Sequence, residues 1–187
     1  MSVGRGPVNR YATQLPTNLL QPHMTPSVDT RKSPGYRTLR FDSVDDCISE
    51  VNQILGAAEA GNLKATGNWT PGQIMSHLAH WIEYAYAGFP IGPPPLLVRW
   101  ILRLRLRKML RDRMPRGVQI PGVEGGTVGM EDMETIEAGR QLLAALQRLK
   151  SDEEAKFDSP AFGAMSHEDR IALNLRHAEL HLGFLTH

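Results

Sequence analysis

A chain of 187 residues, 41% of them apolar and 22% charged, is long enough to bury one sizeable core as a single domain. Its net charge of +1 carries no overall bias toward nucleic acid or an anionic surface. The single cysteine, Cys47, excludes an intrachain disulfide, and arginine or proline interrupts every apolar run well before bilayer length, so no membrane span is expected.

Residues 1–36 contain Pro7, Pro16, Pro22, Pro26 and Pro34 and show no apolar periodicity. They read as an extended or disordered N-terminal arm preceding a folded domain over 37–187. The start of the chain has no apolar signal core, so the expected location is the cytoplasm. Tyr11, Leu15, Leu19 and Leu20 could pack the arm on the domain or on a neighbouring subunit, which leaves a homodimer open.

The first helical segment, SVDDCISEVNQILGAAEAG, opens on Ser43 as N-cap with acids in its first turn, and Gly61 ends it. Val44, Cys47, Ile48, Val51, Ile54, Leu55 and Ala58 recur along it at helical spacing. In TPGQIMSHLAHWIEYAYAG, Thr70 at the N-cap, Pro71 at N1 and Gln73 at N3 make a capping box, and Gly88 stops the helix. Its apolar face is Ile74, Leu78, Trp81, Ile82 and Ala85. A stiff FPIGPPP connection leads into the basic and apolar helix LLVRWILRLRLRKMLRDRM. A further helix is expected over 131–150, and a last one over 166–185 with the apolar stripe Ile171, Leu175, Ala178, Leu182 and Leu185. No strand alternation or internal repeat stands out, so the fold class is all-α, with amphipathic helices packed as a bundle.

Of the seven histidines, His23 falls in the arm, His167 at a helix start and His187 at the last position. The other four form two helical pairs. At about 100° per residue, His177 and His181 lie about 40° apart on the shoulder of the last apolar stripe. His77 falls among Ile74, Trp81 and Tyr84 on the inward half of its helix, while His80 turns roughly 60° further toward solvent, as a rim residue or a partner to a ligand. His77, His177 and His181 could therefore converge where the two helices pack. Three neutral imidazoles bind a first-row divalent metal and leave a coordination position open. Unconnected surface histidines produce the same spacing, and spacing alone does not separate the two readings.

Two phrases sharpen the choice: NWTPGQIMSHLAHW, and RHAELHLGFL about a hundred residues later, with YRTLRFDSVDD at the start of the domain. Together, from about Tyr36 to Leu185, they resemble the DinB-like superfamily, and within it a bacterial family of unknown function. The resemblance implies an up-down-down-up four-helix bundle, here with an extra helical and loop insertion. It also implies a three-histidine divalent metal site, with His77 from the second helix and His177 and His181 from the last. Leu180, Ser159, Arg170 and Asn174 stand where the family pattern tends to place histidine or aromatic residues, which alters the surroundings of the site rather than its ligands.

DinB-like proteins include thiol transferases and hydrolase-like members. A metal with an open position lowers the pKa of a bound water or thiol, producing a nucleophile near neutral pH. The expectation is thus a zinc- or nickel-dependent transferase using a low-molecular-weight thiol, or a hydrolase, acting on a small molecule. The alternative is a non-enzymatic binding or dimerisation module with a structural or vestigial site. Tyr84 is the best candidate for a substrate-facing polar residue; Trp81 is a second candidate, for which a place in the core is the default expectation. No catalytic base is assigned, because helix geometry turns Glu83 more than about 100° from His77 and points Glu179 to solvent, about 160° from the histidine pair, so a salt-bridge or surface role is expected for both. The eight cations from Arg99 to Arg116, set against Asp112, could dock an anionic ligand or surface. Pairing with the acidic segment Glu124 to Glu137 is the default expectation, and nucleic acid is not an expected partner.

Overall fold

The structure is a computed structural model and describes residues 27–187. The arm expected over 1–36 lies mostly outside the described residues, including Tyr11, Leu15, Leu19, Leu20 and His23. Among the described residues the chain is mostly helical, with five α-helices and one two-stranded sheet.

Local capping chemistry sets the first two helices. Helix α1 spans Val44–Glu59, with the Ser43 hydroxyl accepting from the Asp46 amide at 3.1 Å and the Asp46 carboxylate accepting from the Ser43 amide at 2.9 Å. Helix α2 spans Pro71–Ala87 and repeats the device with Thr70 and Gln73, at 3.2 and 3.0 Å. It ends on Gly88, whose φ of 109° lies where only glycine is comfortable. Helix α3 covers Leu96–Arg111 after the proline run, and a single 3₁₀ turn follows at Glu124–Gly126.

Helix α4, Thr135–Lys150, begins later than the periodicity suggests. The Ser76 hydroxyl accounts for the delay. It donates to the Glu131 carbonyl at 3.1 Å and accepts from the Glu131 amide at 3.2 Å, holding that residue to α2 instead of in a helix. Gly72 permits the same approach at the start of α2, since a Cβ there would collide with the Met133 carbonyl.

Helix α5, His167–Leu182, starts at Ser166 and stops short of the expected end. Leu185–Thr186 forms strand β2 instead, antiparallel to β1 at Lys64–Ala65, with Ala65 opposite Leu185. No alternation announces these two-residue strands. The Arg37 amide adds a bond to the Gly183 carbonyl at 2.7 Å, so both the α1–α2 connection and the segment before α1 grip the end of α5. Helix α2 packs chiefly on α4 and also on α5, α1 packs on α4 and α5, and α3 lies against α5. The core between them includes Ile54, Ile74, Met75, Leu142, Leu146 and Leu182, all at most 1% exposed. Cys47 is fully buried there, and burial pushes its thiol up to about 12.

Two expectations are corrected. Glu179 does not face solvent. The segment before α1 covers that side of α5, leaving Glu179 and Arg176 each 3% exposed and paired at 2.8 Å. Phe41 serves both partners: its amide donates to Glu179 Oε1 at 2.6 Å and its carbonyl accepts from Arg176. The Tyr36 hydroxyl donates to the Glu179 carbonyl at 3.3 Å. Among the described side chains the basic segment also makes no ion pair with the acidic one. Arg107 reaches Asp169 at 3.2 Å, Arg111 reaches Asp112 at 3.0 Å and Lys108 also pairs with Asp112, whereas Glu131 faces His80 and Glu137 faces Arg140. Among the described residues no helix is long and apolar enough to cross a membrane.

The two carboxylates first weighed as bases thus differ in energy. Glu179→Ala leaves a buried guanidinium unpaired and should cost about 3–5 kcal/mol. Glu83→Ala breaks a pair with Arg148 whose side chains are about one-third exposed, and should cost less than about 1 kcal/mol. Urea unfolding of both variants measures the contrast.

Candidate metal centre

His77 sits two turns into α2 on the face turned toward α5, and its side chain is 1% exposed. His177 and His181 occupy successive turns of α5 and are half-buried. Each offers one ring nitrogen to a common point, and these atoms all lie within 4.8 Å of one another. The ring centroids are 4.7–5.0 Å apart, and the rings meet edge-on at 66–81°.

The orientation of His77 follows from one acceptor. Its Nδ1 lies 3.0 Å from the Val128 carbonyl oxygen. A carbonyl only accepts, so Nδ1 carries the proton and Nε2 presents a lone pair to the cluster. The Trp81 indole donates to the same carbonyl at 3.3 Å. A backbone carbonyl holding the outer nitrogen of an imidazole is the usual partner of a ligating histidine. Gly129 lets this loop descend onto α2: its φ is 74°, and a Cβ would come within 2.8 Å of the Tyr84 hydroxyl.

The donor set fits a divalent metal. His77 Nε2 and His177 Nε2 are 3.2 Å apart. Two nitrogens bound tetrahedrally at about 2.0–2.1 Å from zinc are separated by about 3.3–3.4 Å. Without a metal this contact requires the His177 Nε2–H to donate to His77, so a metal would take over the role of that proton. Burial holds all three imidazoles in the neutral form that ligates. It pulls His77 down to about 4, although the Val128 carbonyl pulls the other way, and lowers His177 and His181 well below the ordinary histidine value.

Trp69 is the residue that the periodicity argument missed. Its ring stacks on His181 at 5.0 Å and 3° and meets His77 edge-on at 5.0 Å. It immediately precedes the N-cap Thr70, the position from which an apolar residue packs back on the first turn of a helix, and that was the available signal. Trp81 closes the other side, with its ring 6.0 Å from His77 and 5.8 Å from His177. Tyr84 stands behind it, 6.1 Å from Trp81 and 5.9 Å from both His80 and Phe89, rather than among the imidazoles. His80 turns away as its helical position requires. Its Nδ1 donates to the Ser76 carbonyl at 2.8 Å, and its Nε2 lies 3.5 Å from Glu131. His167 and His187 stay outside the cluster.

A family model described as a protein of unknown function, DUF1569, matches residues 34–187. The chain belongs to the DUF1569 family. No curated protein and no solved structure matched it.

The histidine burial has a pH signature in metal-free protein. Above about pH 6.5 the imidazoles are neutral folded and unfolded, and contribute no pH dependence. Below it the unfolded chain takes up protons that the folded site refuses, so stability should fall as pH drops from about 6.5 toward 4, by on the order of 1 kcal/mol per pH unit for each imidazole. Chelator-treated protein unfolded in urea at several pH values should show this slope, and His77→Asn should make it shallower.

Proposed function

We propose that this chain is a divalent-metal-binding protein of DinB-like fold, with four of its helices arranged as an up-down-down-up bundle and the remainder as insertion. His77, His177 and His181 hold the metal, and zinc or nickel suits three imidazole nitrogens best. The observation that carries this reading is the convergence of the three ring nitrogens, with His77 oriented by the Val128 carbonyl.

When bound, the metal supplies Lewis acidity and an exchangeable coordination position. The protein supplies the rest: neutral ligands, a low-polarity wall of Trp69 and Trp81, and Tyr84 as a polar group beyond that wall. This arrangement supports a metal-dependent transfer or hydrolysis on a small molecule, with a low-molecular-weight thiol as co-substrate in the transferase case.

One observation favours a second reading, a non-enzymatic binding or dimerisation module with a structural metal. Glu179 is committed to Arg176 and Glu83 to Arg148, so neither carboxylate is free to move protons beside the imidazoles.

Protein purified without chelator should carry close to one equivalent of divalent metal by elemental analysis. His77→Ala should weaken metal affinity by roughly 100-fold or more, since loss of even an outer partner of a ligand costs 10–100-fold. Metal-free wild-type protein that neither arrives with metal nor takes it up would contradict the assignment.

A further inference from the structure

Helix α3 has two apolar faces, and among the described residues only one is packed against the rest of the chain. Leu106, 8% exposed, marks the face packed toward the rest of the chain. On the opposite face Leu97, Trp100, Ile101 and Leu104 follow the i, i+3, i+4, i+7 pattern of a helix stripe, and they are 68%, 60%, 42% and 64% exposed. Of the ten exposed large apolar residues among those described, six fall in the nine residues from Leu96 to Leu104. A patch so concentrated is not the ordinary scatter of surface leucines and marks an interaction surface.

Charge selects the occupant. Helix α3 contains Arg99, Arg103, Arg105, Arg107, Lys108 and Arg111 and no acid. Past Leu104 the outward stripe continues as Lys108 and Arg111, with Arg105 and Arg107 on its two sides. A second copy meeting this face in parallel would set these cations against their own equivalents. In antiparallel pairing they would face the positive end of the partner's helix dipole. An anionic bilayer meets both halves of the helix at once: leucine, isoleucine and tryptophan enter the headgroup boundary, and lysine and arginine contact phosphates. In the pairs now made by Arg107, Lys108 and Arg111 the cationic side chains are 71–83% exposed and their acidic partners 20–37%, so the cations remain open to lipid phosphate.

We infer that α3 docks this protein peripherally on an anionic phospholipid surface, with the Leu97–Leu104 stripe inserted and the Arg105–Arg111 turn on the headgroups. The inference is independent of the metal centre.

The test is co-sedimentation of the full chain with phosphatidylcholine vesicles, with and without about 30% phosphatidylglycerol. Binding to the anionic vesicles should exceed binding to neutral ones by roughly tenfold at low salt and decline as salt screens the cations. Leu97→Glu with Ile101→Glu should abolish sedimentation with either vesicle, and Arg105→Glu with Lys108→Glu should remove the anionic preference. Far-UV circular dichroism and thermal melting should leave both variants folded, because all four side chains face outward. Failure of the wild type to bind anionic vesicles, or binding unchanged by the stripe substitutions, overturns the proposal. So does a concentration-dependent dimer that Leu97→Glu dissociates in protein that ignores vesicles, which would assign the face to a second copy.

Discussion

A carbonyl oxygen cannot donate a hydrogen bond, and the geometry around the histidines depends on that constraint. Because the Val128 oxygen must accept, the His77 proton sits on Nδ1 and the Nε2 lone pair faces the two imidazoles of α5. The same oxygen takes the Trp81 indole N–H, so one backbone atom orients both the central ring and one wall of the site. The loop that carries it is itself held down. Ser76 clamps Glu131, Gly129 passes close over Tyr84, and Gly72 leaves room for Met133. The loop between the 3₁₀ turn and α4 therefore acts as structural support for α2, and its position is part of the site.

Much of this was legible in the sequence because it is local. Ser43 with Asp46 and Thr70 with Gln73 fix two helix starts through side chains three residues apart, and Gly88 fixes a stop. The convergence of His77, His177 and His181 could be anticipated from 3.6-residue periodicity, because a ring on an inward face has few places to go. What escaped is what periodicity cannot carry. Val128 acts through its backbone, so its identity gives no sign of its role. Glu179 lies on the face that a single-helix wheel assigns to solvent, yet the segment from Tyr36 to Phe41, well over a hundred residues earlier, covers it. Leu185 continues the apolar stripe of α5 but is taken into a strand by Lys64–Ala65. Each miss is a long-range contact overriding a local pattern.

The chain carries two chemically distinct features on different elements. One is nitrogen-rich and partly buried, formed between α2 and α5 and walled by Trp69 and Trp81. The other is an exposed apolar and cationic face on α3. Both follow from residues that the fold does not need for its own core: histidines where leucine would pack more simply, and leucines where lysine would dissolve more readily. The Arg176–Glu179 pair, by contrast, belongs to the scaffold. It ties α5 to the segment before α1 on the side of the helix away from the imidazoles, and so fixes the rotation of the helix that presents them.

X-ray absorption at the metal edge, on protein loaded with one equivalent of zinc, addresses the central claim most directly because it reads the ligands themselves. The account predicts three imidazole nitrogens at about 2.0–2.1 Å, recognisable by the outer-ring scattering of histidine, with one oxygen ligand from solvent completing the shell. A first shell made only of oxygen, or one whose imidazole signal is unchanged when His77 is replaced, would contradict it.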